Sequence, residues 1–169
     1  MRFVRPPSTA YDSSHGRVDV LLACSAGGHL LQLFLLRQAW AGLDVAWVTH
    51  DKDDARSLLA RERVYWAYGP TSRNVLSLVR NLWLAWRLLR ELRPAVVVGT
   101  GAGVSVPFFW LSRLVGAKAV YVESLTRIDR PSLSLRLVRP VASRVYVQWP
   151  ELAEAVPESI YVGSVVGRP

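Results

Sequence analysis

Short apolar runs alternate with longer segments of helical spacing along most of the chain. Residues 18–24 form an aliphatic run that ends at once in Gly27-Gly28, the pattern of a buried strand running into a tight turn. Residues 30–40 then carry apolar positions at helical spacing and stop before Gly42. The alternation continues with a strand at 44–49, a charged helix at 53–63 and a strand at 64–68 cut by Gly69-Pro70. The longest helix is expected over 74–93, closed by Pro94, and three valines mark a strand at 95–99. A glycine-rich turn leads into a helix at 106–115, with Pro107 in its first turn, where a missing N–H costs least. A strand at 118–122, a helix at 132–142, a strand at 144–148, a helical turn at 151–156 and an extended piece at 160–162 complete the series.

Strands alternating with helices throughout imply an open parallel sheet covered on both faces, a Rossmann-like α/β architecture. Residues 1–17 hold Pro6, Pro7, Ser8, Ser13, Ser14 and Gly16 without an apolar stretch, and read as a flexible leader before one domain at 18–169. No run approaches the ~18 apolar residues that a spanning helix needs. In such sheets ligands bind just past the carboxyl ends of the strands, near the switch point in strand order.

Two segments at that edge are rich in glycine. Ser25-Ala26-Gly27-Gly28-His29 joins the first strand to a helix, and Gly99-Thr100-Gly101-Ala102-Gly103 joins the fourth to another that carries Ser105. Glycine lets the backbone approach a ligand closely, and a helix start offers free N–H groups and a positive dipole end, which suits phosphate. The two turns face each other if strands one and four are neighbours. His29, with an ordinary pKa near 6.5, suits proton abstraction at neutral pH. The alternative for each turn is purely structural: close packing, with His29 capped or solvated. Glu123 and Ser124 end a further strand, where the carboxylate can bind sugar hydroxyls, orient His29, or pair with Arg127 or Arg130. A dinucleotide fingerprint G-x-G-x-x-G is absent from the first turn, which disfavours an NAD(P)-binding domain, and no G-K-[ST] phosphate loop occurs.

The long helix carries more apolar surface than a sheet requires. Beyond the stripe that would face the core lie Leu76, Val79, Trp83 and Trp86, flanked by Arg80, Arg87 and Arg90. Tryptophan beside arginine suits the headgroup layer of an anionic membrane; a neighbouring helix or a partner is the competing cover. The net charge of +8 agrees with an anionic partner. Nucleic acid is disfavoured because the arginines are spread along the chain rather than gathered on a reading element. His15, His29 and His50 lack metal-ligand spacing, and Cys24 is the single cysteine, so no metal site and no internal disulfide are expected. No cofactor is expected either.

Taken together, Ser25-Ala26-Gly27-Gly28-His29, Arg73-Asn74, Gly101-Ala102-Gly103 with Pro107, Val122-Glu123-Ser124 and Gln148-Trp149-Pro150 resemble the acceptor-side subunit of two-chain glycosyltransferases. That family includes bacterial exopolysaccharide and capsule proteins and the eukaryotic membrane-anchoring subunit of the UDP-N-acetylglucosamine transferase acting on dolichol-linked oligosaccharide. The resemblance implies the N-terminal half of a GT-B glycosyltransferase, with the nucleotide-sugar site on a separate partner chain. It implies a hexosyltransferase active only as a complex, bound peripherally to the cytoplasmic face of a membrane, with a polyprenyl-diphosphate-linked sugar as acceptor. Ser25, Gly27, Gly28, Arg73, Asn74, Gly101, Gly103, Ser105, Glu123 and Ser124 would then bind acceptor and phosphate. His29 would activate the attacking hydroxyl, as proposed for a similar turn in the enzyme that adds N-acetylglucosamine to the peptidoglycan lipid precursor. A non-catalytic anchor that activates a partner is the alternative.

Overall fold

The computed structural model describes residues 16–69 and 75–167. Seven strands, β1 (Val20–Ala23), β2 (Val45–His50), β3 (Arg63–Ala67), β4 (Val96–Gly99), β5 (Lys118–Val122), β6 (Arg144–Val147) and β7 (Ile160–Tyr161), pair in the order β3-β2-β1-β4-β5-β6-β7. Every ladder is parallel. The switch in strand order falls between β1 and β4, where Ala23 pairs with Gly99, so the two glycine turns leave the sheet side by side.

Alternation along β1 sends Leu21 and Ala23 to one face and Val20, Leu22 and Cys24 to the other, all buried. On the first face lie α3 (Val75–Leu92), α4 (Ala102–Ser112), α5 (Leu133–Val138) and α6 (Pro150–Ala155), around Leu88, Leu89, Phe108, Phe109 and Tyr121. The second face is covered by α1 (Gly28–Leu35), a 3-10 turn at Arg37–Trp40 and α2 (Asp53–Leu58), packed around Trp47. This cover is incomplete. Val96, Val98, Val120, Val122 and Tyr146 floor an apolar groove of about 560 Å³, bordered by Trp40 and by residues 162–165.

Four elements differ from the sequence expectation, the first being the helix expected at 30–40, which ends at Leu35 and gives way to the 3-10 turn at Arg37–Trp40. The helix expected at 106–115 begins at Ala102, because Gly101, at φ 101° and ψ −161°, turns the chain straight from the strand into the helix. Pro107 is therefore inside the helix, not in its first turn, and lacks the N–H that would go to the carbonyl of Gly103. The charged helix stops at Leu58 rather than at 63, since Arg63 already pairs with Ala46 in the sheet. The helix expected at 132–142 is Leu133–Val138: the Ser132 side chain caps its start by accepting from Leu135 N, and Pro140 follows its end.

Candidate functional site

The first glycine turn sits at the carboxyl end of β1. Gly27 adopts φ 83° and ψ −140°, open only to glycine, and precedes the first turn of α1 with no side chain of its own to cap it. Its N–H is donated to Asp54 Oδ2 at 2.7 Å, from the first turn of α2. Among the described residues no protein group accepts the N–H of Gly28 or His29, so both remain free donors at a helix start. Gly27 and Gly28 are exposed, and Ser25 is half-buried beside them.

The second turn is packed against the first. A Cβ on Gly99 would lie 2.8 Å from the carbonyl oxygen of Ala23, so only glycine lets β4 end beside β1. Thr100 Oγ1 donates to the backbone oxygen of His29 at 2.9 Å and ties the two turns together. A Cβ on Gly101 would meet the Tyr121 hydroxyl at 2.8 Å and His29 Cε1 at 3.3 Å, which places the imidazole against a bare backbone. The His29 Nδ1 is buried and has no hydrogen-bond partner. Burial lowers the pKa of His29 below its ordinary 6.5; the Thr100 backbone and the Glu123 carboxylate act in the opposite sense, and Arg127 adds to the lowering. The ring is thus neutral at pH 7 and able to accept a proton. The start of α4 faces this ring, so the imidazole lies between the N-termini of α1 and α4.

The other expected site residues occupy different stations. Glu123 is fully buried, and its two carboxylate oxygens accept from Ser124 N at 2.8 Å and Ser132 N at 2.9 Å. It braces the loop between β5 and α5 and acts on His29 through its charge; Arg130 instead pairs with the exposed Asp129. Ser124 Oγ is shared with Thr126 Oγ1. Ser105 is buried, and its hydroxyl stays within its own helix by donating to Gly101 O and Ala102 O. Gly103 is half-buried in the first turn of α4. Arg73 and Asn74 lie outside the described residues.

Behind the two turns runs a buried polar net. Gln32 Nε2 donates to Gly28 O at 3.1 Å, and its Oε1 accepts from Leu125 N and from Gln148 Nε2. Gln148 Nε2 also reaches Glu123 O, and its Oε1 accepts from Val165 N. Asp54, Gln32 and Tyr121 were not among the sequence candidates. The one signal for Gln32 is a polar residue four positions after Gly28 on an otherwise apolar helix. Cys24 is wholly buried and its thiol is pushed up to about 12, so it is no nucleophile. Among the described residues no group of three His, Cys, Asp or Glu side chains is gathered to hold a metal ion.

On α3 the expected stripe is exposed. Trp83 is 57% and Leu76 58% accessible, and Val79 and Trp86 share that side with Leu78 and Leu82. Arg87 stacks over Trp83 at 5.1 Å and Arg90 over Trp86 at 5.2 Å, while Arg80 lies over Tyr68. The core side of the same helix is Leu84, Ala85, Leu88, Leu89 and Leu92. Among the described residues no helix is long and apolar enough to cross a membrane.

Comparison with known proteins gives one consistent direction. The "UDP-N-acetylglucosamine transferase subunit ALG14" of Mus musculus is 32% identical over 99 residues, covering 55% of this chain and 46% of that protein. The "UDP-N-acetylglucosamine--N-acetylmuramyl-(pentapeptide) pyrophosphoryl-undecaprenol N-acetylglucosamine transferase" of Geobacillus kaustophilus is 33% identical over 93 residues, covering 53% of this chain and 25% of that one. The chain thus spans about half the length of the ALG14 relatives it matches. Its fold superposes on Acinetobacter baumannii MurG with a TM-score of 0.69 at 19% identity, over 89% of this chain and 45% of that one. This confirms the expected half of a GT-B architecture. A model of the family "Oligosaccharide biosynthesis protein Alg14 like" matches residues 50–165; it begins after the Gly27–His29 turn but takes in β3 to β7, α3, the Gly99–Gly103 turn and Glu123. With well over half of its length matched by that model, the chain belongs to the Alg14-like family of oligosaccharide biosynthesis proteins.

Proposed function

We propose that this chain is the acceptor-binding subunit of a two-chain hexosyltransferase. A polyprenyl-diphosphate-linked sugar lies across the carboxyl edge of the sheet, with its diphosphate on the free N–H groups of Gly28 and His29 and on the start of α4. A partner chain carries the nucleotide-sugar site; the names of the relatives favour UDP-N-acetylglucosamine as donor. His29 takes the proton of the acceptor hydroxyl as its oxygen attacks the anomeric carbon, and the bond to the nucleoside diphosphate breaks. The observation that carries this reading is the neutral imidazole, its buried Nδ1 without a hydrogen-bond partner, packed on Gly101 between two helix starts.

Two surfaces support the remaining parts. The arginine-flanked stripe Leu76, Arg80, Val79, Trp83, Trp86 and Arg87 suits an anionic membrane, and a peripheral position on its cytoplasmic face brings a lipid-linked acceptor to the sheet edge. The apolar groove over β4 to β6 suits a partner subunit, since a sheet face of this kind is ordinarily covered.

The test is turnover by the complex of this chain with the partner, at saturating lipid acceptor. His29→Ala is expected to lower it by about 10²–10⁴-fold with the fold and the complex intact. Activity within about threefold of wild type would remove His29 as base and favour the non-catalytic anchor.

A further inference from the structure

The Gly27–His29 turn is held in shape from outside its own helix. No side chain caps α1, and Gly27 sits in a backbone region that even glycine leaves readily when nothing fixes it. Leu31 N bonds to Gly27 O, but this secures only the helical side of the turn. Thr100 Oγ1 and Gln32 Nε2 likewise hold the carbonyls of His29 and Gly28, while among the described residues the N–H of Gly27 on the other side is held by the 2.7 Å bond to Asp54 Oδ2, across 27 residues of sequence and from the neighbouring βα unit. The choice of donor matters. Asp54 takes the N–H of Gly27, which stands before the helix, and leaves those of Gly28 and His29 unoccupied. An exposed carboxylate beside an anion site also carries an electrostatic cost, so its presence there asks for a compensating role.

We propose that Asp54 is a positioning residue: its carboxylate clamps Gly27 in the glycine-only conformation and thereby presents the Gly28 and His29 N–H groups as a preformed phosphate seat. The second half of that statement rests on the phosphate reading given above. Asp54 touches neither substrate nor reacting atoms; it acts by preorganising a turn that would otherwise sample several states. The bond should matter more than the charge, so Asn, whose side-chain oxygen accepts the same N–H, replaces Asp where Ala does not.

The experiment uses the whole chain labelled with ¹⁵N, as wild type, Asp54→Ala and Asp54→Asn. It reads amide exchange at residues 27–31 and titration of the same amides with inorganic pyrophosphate. Asp54→Ala should speed exchange at Gly27 and weaken pyrophosphate by about tenfold or more, the scale of a lost hydrogen bond to a charged group, with melting nearly unchanged. Asp54→Asn should restore slow exchange and bind pyrophosphate at least as well as wild type, since it removes a nearby negative charge. Unchanged exchange at residues 27–31 in Asp54→Ala overturns the proposal, as does an Asn variant that behaves like Ala. If Ala loosens the turn and Asn restores it, yet pyrophosphate moves no amide in wild type, the clamp stands and the phosphate reading fails.

Discussion

Gly101→Ala should be a costly single-methyl addition at the site, and its cost can be worked from two terms. Gly101 lies at φ 101° and ψ −161°, a region essentially closed to residues with a Cβ, where strain is of order 1–3 kcal/mol. The new methyl would also stand 2.8 Å from the Tyr121 hydroxyl and 3.3 Å from His29 Cε1. Tyr121 is fully buried, with its hydroxyl bonded to Ser132 Oγ at 3.2 Å, so it cannot swing away freely. Overpacking of that kind adds about 1–3 kcal/mol. At about 2–4 °C per kcal/mol for a chain of this size, the melting temperature should fall by roughly 4–24 °C. Gly116→Ala is the matched control: Gly116 is left-handed at φ 74°, but its Cβ would meet nothing within 4 Å. Only the strain of about 1–2 kcal/mol applies there. Thermal unfolding of both variants, followed by circular dichroism, separates the contact from the strain. If the two variants melt within 2 °C of each other, His29 and Tyr121 do not press on Gly101 as described.

The lowered pKa of His29 has a sign that can be checked. The unfolded chain binds a proton near pH 6.5 and the folded ring only below that, so stability should fall as pH drops through 6.5 and stay level above about 7.5. An imidazole titration midpoint at or above 6.5, followed by NMR, would contradict this, and His29→Gln should flatten the slope. Trp83→Ser with Trp86→Ser should weaken binding to anionic vesicles while leaving melting nearly unchanged, because both rings are exposed; undiminished vesicle binding by a folded variant counts against the membrane face. Gln148→Ala should cost roughly 2–4 kcal/mol in urea unfolding, since it removes the partner of Glu123 O and Val165 N and leaves Gln32 Oε1 with Leu125 N alone in one buried net; a loss below about 1 kcal/mol would show that the net is loosely made.

Much of this molecule can be read from short-range pattern. The strand expected at 118–122 coincides with β5, and the glycine turns declare themselves because strand, glycine pair and helix are contiguous in sequence. The exposed stripe of α3 is legible for the same reason, as its excess apolar arc is a property of one helix. What pattern cannot supply is a bond between distant segments. Asp54 meets Gly27 across 27 residues and Gln32 meets Gln148 across 116, and neither pair has a local signature. Glu123 shows the converse. Its place at a strand end suits ligand binding, but the loop that follows folds back and uses both carboxylate oxygens for its own backbone. The early start of α4 was hidden because positive φ at Gly101 is a tertiary outcome, set by the ring and hydroxyl that leave no room for a side chain.

The strand order has a consequence for how the chain is made. β1 is central in the finished sheet, yet its partners arrive at very different times: β2 follows after about 20 residues, whereas β4 ends at Gly99. At a synthesis rate of about 5–20 residues per second, the edge of β1 that receives β4 waits unpaired for roughly 4–15 seconds. During that interval Val-Leu-Leu-Ala, buried throughout in the native sheet, presents open backbone groups and an apolar surface. The nascent chain is therefore most prone to mispairing before its fourth strand emerges, and slowing translation between residues 50 and 99 should raise its demand for chaperones.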